Sequence, residues 1–158
     1  MDDAAGEAEV VIIGVGNTLL RDEGIGVHIV HELEKRSDLP PNVKILDYGM
    51  TGLAVVHAIA NRRKAIFIDC AKMEEPPGTI RQFTPAEVKS IKYMPGFSLH
   101  EGDLLQALTI SEQMGEAPDE VILYGIEPEQ VEPGEELSQC LLENLSYYQH
   151  TILSSLTF

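Results

Sequence analysis

Glu23, Asp69 and His100 are the side chains of this sequence with the most promising chemistry: two carboxylates and one imidazole. Such a set suits a first-row transition metal and leaves coordination positions open to outside ligands. The three are far apart in the chain, so only the fold can join them. Glu23 follows the apolar run VVIIGV and a Gly/Asn turn, Asp69 closes the run AIFID, and His100 stands in Ser98-Leu99-His100-Glu101, a capping-box pattern that opens a helix. Parallel strands bring their carboxyl ends to one edge of a sheet, where open α/β folds place their sites. A helix N-terminus disfavours imidazolium and so keeps a histidine there neutral and able to ligate. A structural reading of the same residues stays open: Asp22 and Glu23 favouring a helix start, Asp69 capping a turn, and His100 an ordinary surface histidine.

The elements that must position these residues follow from apolar spacing. Val10 to Val15 reads as a strand buried on both faces, and Ile25, Ile29 and Leu33 fall on one face of a helix that Asp22 and Glu23 introduce. VKILDY is a second strand, ended by Asp47. Gly49, Thr51 and Gly52 then turn the chain into a helix carrying Val56 and Ile59, which ends near Asn61. AIFID is a central strand, and IRQF a short edge strand. Thr84, Pro85 and Glu87 supply the cap of a helix over Pro85 to Ile91. After the KYMPGF loop and the helix begun at Ser98, Glu120 to Glu127 forms the last strand. Pro133 and Gly134 are expected to open a final helix carrying Leu137, Leu141, Leu145, Tyr148 and Ile152. Alternating strands and helices with right-handed crossovers give an α/β fold.

Several functions are disfavoured. The glycine pattern of residues 14 to 19 fails the dinucleotide fingerprint, because its sixth position is Leu19, and the loop is therefore expected not to admit close helix packing. A phosphate loop lacks its second glycine and lysine, and phosphate would meet Asp22 and Glu23. No serine-hydrolase elbow or zincin helix occurs. With 26 acidic against 11 basic side chains the net charge is −15, which repels nucleic acid. No apolar run reaches the roughly 20 residues of a membrane span, and the acidic start MDDAAGEAE does not resemble a secretory signal, so a cytoplasmic location is expected. Residues 1–9 are expected to be a disordered acidic tail, with 10–158 one domain. Cys70 and Cys140 form no metal spacing or disulfide framework, and Cys70 reads best as a buried, inert thiol. His28, His31, His57 and His150 receive no role. Asp47 suits a general base if it faces the same edge, or a turn cap otherwise.

GVGNTLLRDEGIG, LDYGMTG, FIDCA, SLHEGDLL and LYGIEP, in that order, resemble the nickel-iron hydrogenase maturation endopeptidases from Val10 to about Leu153. The resemblance implies a three-layer α/β/α sandwich around a twisted, mostly parallel five-stranded sheet with one antiparallel strand. It implies removal of a C-terminal extension from a hydrogenase large-subunit precursor after nickel insertion. The family's metal contacts fall on Glu23, Asp69 and His100, which would touch nickel presented by the substrate; zinc or cadmium would suit the same donors in vitro. The family's aspartate-glycine segment places a catalytic aspartate on Asp47 and substrate contacts on Gly49, Thr51 and Gly52. Here Met50 precedes the threonine position, a departure that affects the geometry of Asp47. The sequence shows no unambiguous nucleophile, so a nickel-binding chaperone or docking module for hydrogenase assembly remains the alternative.

Overall fold

The computed structural model describes residues 9–49, 53–91 and 101–156. Its strands are β1 (Val10–Val15), β2 (Val43–Gly49), β3 (Lys64–Cys70), β4 (Ile80–Phe83) and β5 (Glu120–Ile126), in the spatial order β2-β1-β3-β5-β4. All neighbouring pairs are parallel except β4 with β5, which is antiparallel. Its helices are α1 (Ile25–Glu34), α2 (Leu53–Ile59), α3 (Pro85–Ile91), α4 (Glu101–Gln113), α5 (Gln139–Glu143) and α6 (Leu145–Leu153). The expected α/β fold with a mostly parallel five-stranded sheet is present.

The apolar pattern explains the layers. β1 and β3 are buried along their whole length, as central parallel strands covered on both faces must be. Val11, Ile13, Ala65 and Phe67 pack with Val55, Ile59, Val88, Leu104 and Leu108 of α2, α3 and α4. Val10, Ile12, Ile66 and Ile68 pack with Ile25, Ile29 and Leu33 of α1 and with Leu141, Tyr148 and Ile152 of α5 and α6. The period-2 alternation of side chains thus feeds two cores. Among the described residues no helix is long and apolar enough to cross a membrane.

Some boundaries match the capping chemistry. Thr84 Oγ1 accepts from Glu87 N (3.2 Å) and Glu87 Oε1 from Thr84 N (2.8 Å), a complete capping box that starts α3. Asn61 adopts φ 61°, the left-handed conformation that ends the α2 turn. Ser98 and His100, expected to open α4, lie outside the described residues. Glu9, expected within the tail, instead accepts through its carbonyl from Arg63 N (2.9 Å) at the start of β3.

Two expectations are corrected. Pro133 and Gly134 do not open the final helix, which begins at Gln139 and breaks at Asn144 (φ −102°, ψ 6°). Gly134 (φ 151°) is held against the signature loop, residues 16–21, donating to Leu19 O (2.9 Å) and accepting from Arg21 N (2.9 Å). Close helix packing does occur at the first strand. A Cβ on Gly26 would lie 2.1 Å from Ile68 O, and one on Gly14 would lie 2.4 Å from Gly26 O. The near approach comes from a strand glycine against a helix glycine, and Leu19 points outward, 62% exposed.

Candidate functional site

The loop that presents Glu23 is built from backbone pressed on backbone. Gly16 adopts φ 134°, and a Cβ there would stand 2.1 Å from Glu23 O, while a Cβ on Gly24 would meet the Thr18 Cα at 2.6 Å. Only glycine fits both positions. Arg21 enters the left-handed region (φ 52°), and the tight 3-10 turn Arg21–Gly24 then carries Asp22 and Glu23 before α1 begins.

Adjacent in sequence, Asp22 and Glu23 have different surroundings. Asp22 is fully buried. Its Oδ2 accepts from Glu129 N, Gln130 N (both 2.9 Å) and Ser138 Oγ (2.7 Å), and its Oδ1 from Ser138 N (2.7 Å). Four donors compensate a buried carboxylate, and they clamp the 129–138 segment onto the turn. Glu23 is only partly buried. The sequence suggests a helix-start role for both acids; the clamp is not legible in it, because its donors, three backbone N–H groups and the Ser138 hydroxyl, lie more than a hundred residues away.

Asp69 is 1% exposed near the end of β3, where its Oδ1 accepts from Cys70 N (2.7 Å). Its strand neighbours Ile68 and Cys70 belong to the α1-side core, and Phe67 and Ala71 to the α4-side core. Alternation therefore aims Asp69 toward the α4 side. The turn bearing Glu23 packs against β3. The Cys70 thiol registers the convergence: its pKa is pushed up first by burial and then by Asp69, Glu23, Asp22 and Glu127. Cys70 is thus a protonated, unreactive thiol, as its sequence context suggested.

Glu127 was not picked out from the sequence. It is buried one residue beyond β5, and its Oε1 accepts from Met73 N (2.7 Å) and Glu75 N (3.2 Å), so it fixes the loop after β3. Like Asp22, it is an acid whose acceptors are occupied chiefly by backbone N–H groups.

Asp47 stands apart from Asp69. It pairs in register with Gly14, which pairs in turn with Ile68, so one strand separates the two aspartates, roughly 10 Å of backbone at ordinary strand spacing. Asp47 Oδ2 lies 2.7 Å from His31 Nε2 of α1, and Oδ1 accepts from Gly49 N (3.1 Å). The side chain therefore faces the α1 side, opposite to the side toward which Asp69 is aimed, and it caps the strand end. Gly49 (φ 53°) accepts from Gly16 N at 2.9 Å, which joins this turn to the signature loop.

The structure brings Glu23 and Asp69 to one sheet edge, and it leaves Asp47 with His31. His100, Thr51 and Gly52 lie outside the described residues. Among the described residues no group of three His, Cys, Asp or Glu side chains is placed to hold a metal ion. A nickel ion contacted by Glu23 and Asp69 would need further ligands, from His100 or from a substrate.

Residues 27–155 match the family model described as hydrogenase maturation protease. The hydrogenase 2 maturation protease of Escherichia coli K12 is 38% identical over 125 residues, covering 78% of this chain and 76% of that protein. The hydrogenase expression/formation protein HoxM of Cupriavidus necator is 32% identical over 123 residues; the match covers 78% of this chain but only 61% of HoxM. The solved structure of the hydrogenase maturating endopeptidase HybD from E. coli superposes with a TM-score of 0.82 at 33% identity, covering 94% of this chain and 91% of that one.

Proposed function

The chain belongs to the hydrogenase maturation protease family, and from that premise we propose that it is an endopeptidase that removes the C-terminal extension of a nickel-iron hydrogenase large-subunit precursor after nickel insertion. The observation that carries the site assignment is the packing of the Glu23 turn against β3, near whose carboxyl end Asp69 stands. In this reading Glu23, Asp69 and His100 contact nickel already held by the precursor. Recognition of the ion then places the scissile peptide bond beside the turn. Hydrolysis adds water across that bond, the hydroxyl going to the carbonyl carbon and a proton to the departing amine. The nickel orients the substrate and polarises the reacting groups.

A metal carried by the substrate makes cleavage a checkpoint: precursor without nickel lacks the ligand that docks it. Zinc or cadmium would suit the same mixed carboxylate and imidazole donors in vitro. Intact-mass measurement of the precursor's C-terminus, before and after incubation with the protein, tests the activity. Loss of the extension is expected; nickel-dependent association without any mass change would instead identify a chaperone or docking module.

A further inference from the structure

Next to the Glu23 turn, on the α1 side, lies a cavity of about 820 Å³ walled by α1 and by the 129–145 segment. Glu129, Glu135 and Glu136 line it together with Arg21, and its apolar surface comes from Leu137, Leu142 and Leu145. Leu142, at its apolar side, is 51% exposed. A second depression, of about 510 Å³, shares Arg21, Glu135 and Glu136 and runs on past Pro133 and Gly134. The two depressions adjoin at Arg21, Glu135 and Glu136 and together are called the groove.

Its charge is one-sided. Arg21 is already engaged, donating to Glu136 O (3.0 Å) and facing Glu132 at 3.7 Å. Glu129, Glu135 and Glu136 have no cationic partner among the described residues. His28 also lines the cavity, and burial, then the neighbouring His31, hold it below its usual range, so it adds no positive charge at neutral pH. Acidic walls over leucines match one chemistry: a lysine or arginine side chain, whose aliphatic stem lies on apolar surface while its head meets carboxylates. Two adjoining depressions leave room for a segment that places more than one such residue.

We propose that this groove docks a basic segment of the protein substrate, beside the turn that presents Glu23. The proposal rests on the processing reading above, since the segment is assigned to the precursor. The Asp22 clamp makes the arrangement rigid: the wall that carries Glu129 and Gln130 is tied to the residue adjacent to Glu23. Docking in the groove therefore fixes the position of the precursor relative to the site.

The chain contains no tryptophan, so a tryptophan-bearing peptide can be followed by its own fluorescence. The probe is a peptide of alternating lysine and leucine with one tryptophan, and its control carries glutamate for lysine. Full-length wild type is expected to bind the basic peptide saturably, more weakly at high salt, and to ignore the acidic one. Glu135→Lys/Glu136→Lys, both exposed positions, should weaken binding about tenfold or more. Glu112→Lys/Asp119→Lys makes the same change in net charge around the end of α4 and should bind as wild type does. Equal weakening by both double variants, or no saturable binding, overturns the groove assignment without reference to any hydrogenase. With precursor as substrate, Glu135→Lys/Glu136→Lys should raise KM about tenfold and leave kcat unchanged. Unchanged KM overturns the assignment while the protease reading stands. Precursor left uncleaved by wild type overturns the protease reading, and the peptide result then judges the groove alone.

Discussion

The acids of the signature motif divide the work by burial. Glu23 is partly open at the turn, whereas Asp22 is sealed beneath it with four hydrogen-bond donors. Asp22→Asn would turn an amide NH2 toward donors that require an acceptor; a loss of about 3 kcal/mol in urea unfolding is expected, with loss of precursor processing. Glu23→Gln should instead leave the unfolding midpoint within experimental scatter while cleavage falls about a hundredfold or more. Equal destabilisation by both variants would contradict this division. Asp47 faces His31 and the Gly49 amide, on the side opposite to that of Asp69. Asp47→Asn is therefore expected to keep kcat within about threefold, because the groups it touches belong to the scaffold; a collapse of kcat at constant KM would make it the proton acceptor. Cys70 prefers its protonated form when folded, so as pH rises past the ordinary thiol range, about 8.5, the unfolded chain releases its proton first and stability falls. Cys70→Ser should flatten that alkaline decline, and a thiol reagent should label Cys70 only on unfolding.

At the scale of elements, the approach of α1 to the sheet decides where the Glu23 turn sits. Gly26 lies against Ile68 O and Val15 O, both backbone atoms that cannot step aside. Gly26→Ala is expected to cost about 3 kcal/mol or more, measured by denaturant unfolding, and to impair cleavage because α1 must lift from β1 and β3. Most of this framework was legible in the sequence. Continuous apolar runs identified β1 and β3, and the Thr84 and Glu87 pair marked the start of α3 to the residue. What stayed hidden depends on long-range contact. Pro133 and Gly134 carry a helix-opening signal, yet Gly134 is drawn into an isolated bridge with Leu20. The Gly14 and Gly26 contact cannot be read from a fingerprint that looks only within the loop, and Leu19, an obstacle by that fingerprint, faces outward. Of the candidate site, the shared edge of Glu23 and Asp69 is legible because strand ends meet there, whereas the clamps made by Asp22 and Glu127 use mainly backbone donors, which carry no sequence signature.

For the whole molecule, an acidic surface, a carboxylate turn at the sheet edge and acidic side chains beside it suit the proposed cation-bearing, basic partner. The net charge of −15 favours encounter with such a partner and disfavours nucleic acid. If nickel in the precursor supplies the docking ion, as proposed above, the state of the substrate, not a change in this protein, would control cleavage. The most direct measurement incubates wild type with nickel-loaded and with metal-free precursor and follows the C-terminal mass of each. Cleavage of the nickel-loaded form alone, abolished by Glu23→Ala and His100→Ala, is the result this account predicts; equal cleavage of both forms, or full activity in both variants, would contradict it.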